Sequence, residues 1–154
     1  MNYIGVDPGN SGAMVSLDGE GLPDSIRHDK ATDSDLWSWL QSHQGRPVMA
    51  VIERVSAMPG QGVSSTFKFG TSYGKSQGML IAAGIPFEFI TPRTWQKALS
   101  IKKRQKNESK TDFKRRLKGV AQRLFPNEKI VNANADAFLI AEYCRRKHSL
   151  KSRL

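Results

Sequence analysis

Three acidic residues are placed where their carboxylates could bind a cation. Asp7 ends a strand-like run at residues 2–7, Glu53 ends an apolar run at residues 47–53, and Asp136 lies in the first turn of the last helical pattern. If the two strands are neighbours, Asp7 and Glu53 emerge at the same edge of the sheet. A helix packed across that edge would add Asp136 to the cluster.

The chemistry of such a cluster is that of a hard metal ion. Converging carboxylates repel one another unless divalent cations lie between them, and oxygen ligands without Cys or His suit Mg²⁺ or Mn²⁺. The single cysteine, Cys144, can form neither an internal disulfide nor a Cys/His cluster. Structural roles remain as alternatives, since an Asp before Pro8-Gly9 suits a turn and an Asp favours a helix N-terminus. Glu53 is the acid that such roles explain least, because it ends a buried apolar strand.

Positive charge gives a second functional signal. The 154 residues contain 24 Lys and Arg against 14 Asp and Glu, a net charge of +10, which suits a polyanionic partner. Much of it falls in a basic helical segment at about residues 100–126, where only Glu108 and Asp112 oppose it. A solubilising surface would not require this clustering. The cations expected to contact DNA phosphates there are Lys102, Lys103, Lys110, Lys114, Arg115 and Lys118.

Hydrophobic spacing predicts the elements that position these residues. Strands are expected at residues 2–7, 13–17, 24–29, 47–53 and 86–91. Helices are expected after a cap at Thr32 or Asp33, from a cap at Ser64 or Ser65 toward Ala83, from Pro92 through Leu99, from a capping box at Ser109 and Asp112 to Pro126, and from about 134 to 147. A Gly/Pro-rich loop is expected from Met58 to Val63. Early strands followed by alternating helices and strands predict one α/β domain over residues 1–154.

The long central helix carries Gly70, Gly74 and Gly78, which share one face because they are four residues apart. Each glycine inside a helix costs about 1 kcal/mol relative to alanine. The stripe therefore calls for close approach by another backbone, either the sheet or a twofold-related copy of the chain. The tryptophans are assigned to packing and the histidines to no site; these are Trp37, Trp39, Trp95, His28, His43 and His148.

Motifs spread in order along nearly the whole chain resemble those of RuvC-type Holliday-junction resolvases. The first strand reads Ile4-Gly5-Val6-Asp7-Pro8-Gly9, the second acidic strand Val51-Ile52-Glu53, and the last helix Ala135-Asp136-Ala137-Phe138-Leu139-Ile140-Ala141. The segment Phe67-Lys68-Phe69-Gly70, with Tyr73-Gly74, is similar to the helix that follows the second acid. The resemblance implies an RNase H-like fold, with a mixed five-stranded sheet and helices on both faces.

The resemblance also implies an activity, a structure-selective endonuclease that incises Holliday junctions symmetrically by two-metal phosphodiester hydrolysis. Two Mg²⁺ ions per active site, for which Mn²⁺ can substitute, would be bridged by Asp7 and held further by Glu53 and Asp136. Paired incisions need two active sites related by a twofold axis, so a homodimer is expected on a four-way DNA junction. Phe67, Phe69 or Tyr73 could stack on bases at the branch point, with Phe69 preferred by resemblance to the family, and Lys75 is also expected to contact DNA.

The segment Pro92-Arg93-Trp95 resembles phage-encoded members of the family. The N-terminus carries no secretion signal, and no apolar stretch reaches the ~18 residues that a membrane span needs. We therefore expect a cytoplasmic protein without a membrane partner, in the host cytoplasm if it is phage-encoded.

One position departs from the family pattern. The family usually has an Asp or His three residues before the final Asp, and this chain has Ala133 there. Its neighbours Asn132 and Asn134 could offer an amide oxygen to a metal, and Asn132 shares a face with Asp136 if the helix extends that far. Either asparagine could instead stand for an Asp and silence the enzyme.

Three alternatives therefore stay open. The first is a catalytically weak or inactive protein that binds branched DNA, and the second is a broader flap or fork nuclease on the same fold. The third is a fragment of an actin-like or sugar-kinase ATPase, because those folds also open with a strand, an Asp and a Gly-rich turn. That architecture generally needs a second phosphate loop and a longer chain.

Overall fold

The chain folds into a five-stranded sheet with helices on both faces, and the computed structural model describes residues 1–56 and 60–149. The elements are β1 (Asn2–Asp7), β2 (Ala13–Leu17), β3 (Pro23–Arg27), a 3₁₀ helix (His28–Lys30), α1 (Asp33–Gln41), β4 (Val48–Glu53), α2 (Val63–Ala82), β5 (Phe87–Ile90), α3 (Pro92–Ala98), α4 (Lys110–Leu124) and α5 (Asn132–Ser149). None of the helices in these ranges is long and apolar enough to cross a membrane.

The sheet is mixed, with the strand order β3-β2-β1-β4-β5. Strand β2 runs antiparallel to β1 and β3, whereas β4 runs parallel to β1 and β5. The register pairs Val6 of β1 with Ile52 of β4. The residues that follow them, Asp7 and Glu53, therefore leave the sheet at the same edge, as the sequence predicts.

Alternation of side chains along the strands forms two hydrophobic cores, one on each face of the sheet. One core packs Tyr3 and Val51 against α3, α4 and α5, and the other packs the intervening strand residues against α1 and α2. Asp7 lies four residues after Tyr3 on β1, and Glu53 lies two residues after Val51 on β4. Residues an even number of positions apart on a strand point to the same side. Both acids therefore belong to the face that α3, α4 and α5 cover.

Helix α5 lies directly on the central strand at Gly5. A Cβ on Gly5 would come within 2.2 Å of the Ala141 nitrogen and 2.5 Å of the Ala137 carbonyl oxygen. Only glycine permits this approach. The helix is buried from Asn134 to Cys144, so its depth against the sheet is fixed along most of its length.

Two boundaries near β3 and α2 differ from the sequence expectation. The third strand ends at Arg27 rather than at residue 29, because the chain turns into the 3₁₀ helix at residues 28–30. Helix α2 begins at Val63 without a side-chain cap, so neither Ser64 nor Ser65 is its N-cap. Residues 58 and 59 of the loop predicted from Met58 to Val63 lie outside the described residues.

The start of α4 agrees with the predicted cap, whereas the start of α5 differs from expectation. Ser109 is the N-cap of α4, and its hydroxyl accepts from the Asp112 N–H. The basic segment is helical only from Lys110, because Glu108 accepts from the Gln105 backbone and pairs with Arg116, which holds the preceding residues in a turn. Helix α5 begins at Asn132, two residues earlier than predicted. Asp136 therefore lies in its second turn rather than its first.

The glycine face of α2 does not pack against the sheet. A Cβ on Gly70, Gly74 or Gly78 would meet no atom within 4 Å. The helix instead turns Ser72, Ser76 and Leu80 inward. Of the two alternatives for these glycines, packing against the sheet is therefore excluded, and their face is open in the described structure.

Candidate active site

Asp7, Glu53 and Asp136 act on one another electrostatically at the edge where β1 and β4 end. The charge of Asp136 raises the pKa of Asp7, and the charges of Asp7 and Asp136 raise the pKa of Glu53. Asp136 is only 5% exposed. The fold therefore brings the three sequence-predicted acids into one site.

Burial is the main cause of the raised pKa values in this site. It raises the pKa of Asp7 to about 6 and that of Glu53 to about 7, from ordinary values of 3.8 and 4.5. Carboxylates out of water without enough compensating positive charge hold their protons more tightly. A cation that reached the site would therefore displace protons near neutral pH.

Lys114 of α4 reaches into this acidic cluster. Its ammonium group donates to Asp136 Oδ2, whereas Asp136 Oδ1 is buried and has no hydrogen-bond partner among the described residues. Burial acts to lower the pKa of Lys114, but the charge and hydrogen bond of Asp136, with the charges of Asp7 and Glu53, raise it overall. The sequence grouped Lys114 with the phosphate-binding cations, and nothing in the sequence signalled its contact with Asp136.

Three hydrogen bonds hold the turn after Asp7. The Gly9 N–H donates to Asp7 Oδ1 at 3.3 Å, and the buried Ser72 hydroxyl of α2 donates to the Pro8 carbonyl at 2.7 Å. The His28 Nδ1 donates to the Gly9 carbonyl at 2.8 Å. The sequence assigned no role to His28, and its contact with this turn comes from the pairing of β2 with β3.

Glu53 is held by Trp95 of α3. The indole N–H donates to Glu53 Oε2 at 2.7 Å, and this hydrogen bond lowers the pKa of the carboxyl against the larger effect of burial. Trp95 is 1% exposed. Its assignment to packing is confirmed, but the sequence missed its contact with Glu53.

The two asparagines beside Ala133 are used differently. Asn134 is buried, its Oδ1 accepts from the Val131 N–H at 2.8 Å, and its Nδ2 donates to the Lys129 carbonyl at 3.1 Å. Its amide therefore fastens the start of α5. Asn132 is exposed at the first residue of α5, so the helix extends far enough to put it on the face of Asp136.

The donors suit a hard divalent cation by type and burial. They are oxygens only, and a buried carboxylate oxygen of Asp136 lacks a partner in the part of the chain that the structure describes. As the side chains stand, no group of three or more His, Cys, Asp or Glu within residues 1–56 and 60–149 is arranged to hold a metal ion. The Lys114 ammonium engages Asp136 Oδ2 instead, so Asp136 would have to turn from Lys114 toward an ion shared with the other two acids.

Two solved structures share this arrangement of elements. T. thermophilus RuvC in complex with Holliday junction substrate matches with a TM-score of 0.57 and 16% identity, over 99% of this chain and 96% of that chain. A second Thermus thermophilus RuvC structure matches with a TM-score of 0.55 and 17% identity over the same shares. This chain has the RuvC fold. The expected RNase H-like mixed sheet with helices on both faces is thus confirmed, while no family profile and no curated protein sequence matches.

On this RuvC fold, the predicted DNA-binding cations differ in whether an acidic side chain pairs with them. Lys75 pairs with Asp33 at 2.6 Å and Arg115 with Asp112 at 2.7 Å, and both contacts are at the surface. The cations without an acidic partner among the described residues are Lys102, Lys103, Lys110 and Lys118, of which Lys118 is half-buried.

Helix α3 adds cations that the sequence analysis did not select. Arg93 and Lys97 line an open cavity of about 540 Å³ together with Lys102 and Lys103. Within the described chain, the other lining residues are Gln96, Ser100 and Ile101, so no acid faces it. Charge clustering in the sequence did not indicate Arg93 and Lys97, because both lie outside the basic segment at about residues 100–126.

The aromatic residues of α2 also differ in exposure. Phe69 is half-buried and its ring lies near Gly9. Tyr73 is half-buried and packs toward Phe89, with ring centroids 6.1 Å apart. Phe67, the third aromatic candidate of the sequence analysis, is 77% exposed.

Proposed function

We propose that this chain is a structure-selective, metal-dependent endonuclease that cuts branched DNA, chiefly Holliday junctions by paired symmetrical incisions. The observation that carries the proposal is the meeting of Asp7, Glu53 and Asp136 at one sheet edge, with a buried oxygen of Asp136 left without a partner. Supporting it, a solved structure with this fold is of a RuvC bound to Holliday junction substrate.

The metal ligands in this proposal are Asp7, Glu53 and Asp136. Asp7 would be shared between two Mg²⁺ ions, Glu53 and Asp136 would each hold one of them, and Mn²⁺ would substitute. When bound, such ions activate water and stabilise the leaving 3′-oxygen. Asn132 is a candidate fourth oxygen donor. Asn134 is not among the proposed ligands, because its amide oxygen and its amide nitrogen both form hydrogen bonds at the start of α5.

The chain's own groups manage charge in the site. Asp7 and Glu53 release protons near neutral pH as they become ligands, because their pKa values of about 6 and about 7 are those of desolvated acids. Lys114 neutralises Asp136 before that happens. Its half-exposed side chain can then turn to the scissile phosphate, where an ammonium group stabilises developing negative charge.

The DNA partner would be held mainly through phosphates. Lys102, Lys103 and Lys110 of the basic segment, with Arg93 and Lys97 of α3, supply cations without acidic partners in the described chain. Binding through such contacts weakens steeply with salt. Phe69 and Tyr73 remain the candidates for contact with bases at the branch point, and Lys75, Lys114, Arg115 and Lys118 for contact with DNA.

The homodimer would form on the open face of α2. Gly70, Gly74 and Gly78 have no neighbour within 4 Å, and α2 also exposes Val63 by 88%, Phe67 by 77% and Ile81 by 68%. At helical spacing these six residues lie within one narrow arc of the helix. Large apolar side chains beside small ones on an exposed helix face favour contact with another copy.

A catalytically weak protein that binds branched DNA is the second candidate. Ala133 stands where the family has an acid or a histidine, and Lys114 occupies one oxygen of Asp136. Both features favour a site that holds metal poorly. Under this candidate the basic surface and the dimer would be kept, and only incision would be lost.

The deciding experiment is cleavage of labelled four-way junction, flap and linear duplex DNA with Mg²⁺, Mn²⁺ or EDTA. Paired symmetrical nicks in the junction that disappear with EDTA and in Asp7→Asn would support the resolvase. Preferred cutting of the flap would favour the broader nuclease. Tight junction binding without cutting, restored by Ala133→Asp, would favour the weak enzyme, and neither binding nor cutting would overturn the proposal.

A further inference from the structure

We propose that Trp95 is a positioning residue of this site, whose buried indole N–H sets the orientation of the Glu53 carboxylate and thereby the affinity of the site for divalent cations. The inference rests on the proposed function, in which Glu53 is a metal ligand. It goes beyond that function because Trp95 itself would touch neither metal nor DNA.

The contact has the properties of a fixed support. Trp95 Nε1 lies 2.7 Å from Glu53 Oε2, and hydrogen bonds to an ionised acceptor are about twice as strong as neutral ones. A glutamate side chain has three rotatable bonds and needs a second contact to hold one geometry. Trp95 engages Oε2, and within residues 1–56 and 60–149 Glu53 has no other hydrogen-bond donor, so Oε1 would be available to a cation.

Trp95 cannot move away from Glu53 at low energy. The ring is 1% exposed and belongs to the same core as Leu99, Phe138 and Ile140. A tryptophan in such a core is locked in its rotamer by close packing. The indole N–H is therefore a rigid donor rather than one that adapts to the carboxylate.

The backbone also fixes α3 relative to Glu53. Glu53 pairs with Ile90 in the parallel ladder between β4 and β5, and the Arg54 N–H donates to the Ile90 carbonyl at 2.7 Å. Helix α3 begins at Pro92, two residues after Ile90, and Thr91 is its N-cap. Trp95 thus reaches the end of β4 from a helix tied to the neighbouring strand.

Trp39 offers a matched control. Its indole N–H also donates to a carboxylate, Asp24 Oδ2 at 2.9 Å, but this pair lies on α1 and β3. Replacing Trp39 by Phe removes the same kind of hydrogen bond without touching Glu53. A role of Trp95 in stability alone predicts similar behaviour of the two variants toward metal.

The test measures Mn²⁺ binding to the full chain by titration calorimetry for the wild type, Trp95→Phe and Trp39→Phe. We expect Trp95→Phe to raise the Kd for Mn²⁺ by about 10-fold, the low end of the effect of a lost outer-shell partner, and Trp39→Phe to leave it within about twofold. Junction cleavage should follow the same order at subsaturating Mn²⁺ and recover in Trp95→Phe at high Mn²⁺. Equal Kd values for all three proteins would overturn the inference.

A second measurement does not depend on whether Trp95→Phe folds. In the ¹⁵N-labelled wild type, the Trp95 indole resonance should shift when Mg²⁺ is added and when Glu53 is replaced by Gln, while that of Trp39 should not. If the Trp95 resonance shifted neither with Mg²⁺ nor in Glu53→Gln, the inference would be overturned even if the protein binds metal and cuts DNA. A wild type that binds no divalent cation would instead overturn the metal site itself, and the inference with it.

Discussion

Gly5 of β1 supports the backbone of α5 at Ala141, so closely that a Cβ on Gly5 would lie 2.2 Å from the Ala141 nitrogen. Two residues beyond Gly5 on the strand is Asp7, and five residues before Ala141 on the helix is Asp136. The close approach of strand and helix backbones therefore sets how near these two acids come. A glycine that has no reacting group of its own therefore controls how closely the helix of Asp136 docks on the strand of Asp7.

Gly5→Ala should consequently destabilise the protein. The added methyl group would overlap backbone atoms of Ala137 and Ala141, which can move only if the whole of α5 shifts. We therefore expect a loss of about 3 kcal/mol in the free energy of unfolding. Thermal unfolding followed by circular dichroism measures it, and a fall in Tm of roughly 6–12 °C is expected. Gly119→Ala in α4, where a Cβ would meet only the Arg123 side chain at 3.7 Å, should keep or raise the Tm. Equal melting of both variants would contradict the close approach.

Asp7→Asn should stabilise the metal-free protein at neutral pH. Burial raises the pKa of Asp7 to about 6 from 3.8, so the folded chain holds this proton more tightly than the unfolded chain. Stability from this group is therefore full below about pH 4 and falls as the pH rises to about 6. In EDTA at pH 8 the free energy of unfolding of the variant should exceed that of the wild type by about 3 kcal/mol, because one pKa unit corresponds to about 1.4 kcal/mol, and at pH 4 the difference should be small. A constant difference across this range, in urea unfolding curves, would contradict the raised pKa.

Protons should also compete with metal in the wild type. Because the pKa values of Asp7 and Glu53 are about 6 and about 7, both groups must lose protons before they can act as ligands. The Kd for Mg²⁺ or Mn²⁺ should therefore fall steeply between pH 5 and pH 7 and level off above pH 8. Calorimetry in buffers of different ionisation enthalpy would count the released protons. A Kd that is independent of pH would argue against these acids as the ligands.

Lys114→Met should make the folded protein depend on divalent cations. The ammonium group is the hydrogen-bond partner of Asp136, whose side chain is 8% exposed, and its removal leaves a buried carboxylate unpaired. In EDTA we expect a loss of about 2 kcal/mol, discounted because Lys114 itself is half exposed. Mg²⁺ should then raise the Tm of the variant more than that of the wild type. The control is Lys118→Met on the same helix, which should show neither effect.

Gly74→Leu should dissociate the proposed dimer. A side chain at this position meets nothing within 4 Å in the chain itself, so the substitution should keep or raise the stability of the monomer through better helix propensity. Sedimentation velocity should show a shift from dimer to monomer, and junction cleavage should lose its paired symmetry. A wild type that sediments as a monomer on and off DNA would exclude this interface, and Gly119→Leu serves as the control for a helical glycine elsewhere.

Arg93→Ala with Lys97→Ala should weaken binding to junction DNA without changing metal affinity. These cations line a cavity that also includes Lys102 and Lys103, and each lost phosphate contact reduces the salt dependence of the binding constant by a slope of about 1. Fluorescence anisotropy at several salt concentrations measures the slope. Unchanged affinity and slope would remove α3 from the DNA surface.

The sequence by itself determined the sheet edge of the site. Asp7 ends the alternating run at residues 2–7 and Glu53 ends the apolar run at residues 47–53, so two neighbouring strands would bring both acids to one edge of the sheet. Charge clustering and the ordered motifs were equally local signals. They sufficed for a RuvC-like fold and for the three candidate ligands.

The tertiary structure alone decided what holds those ligands. Glu53 meets Trp95 across 42 positions of the chain, Asp136 meets Lys114 across 22, and Pro8 meets Ser72 across 64. No spacing rule predicts such pairs, because they depend on how deeply each helix docks on the sheet. That depth is set by backbone contact at Gly5 and by packing in the core. The same docking left the glycine face of α2 open, although the sequence pattern was equally compatible with a glycine face turned toward the sheet.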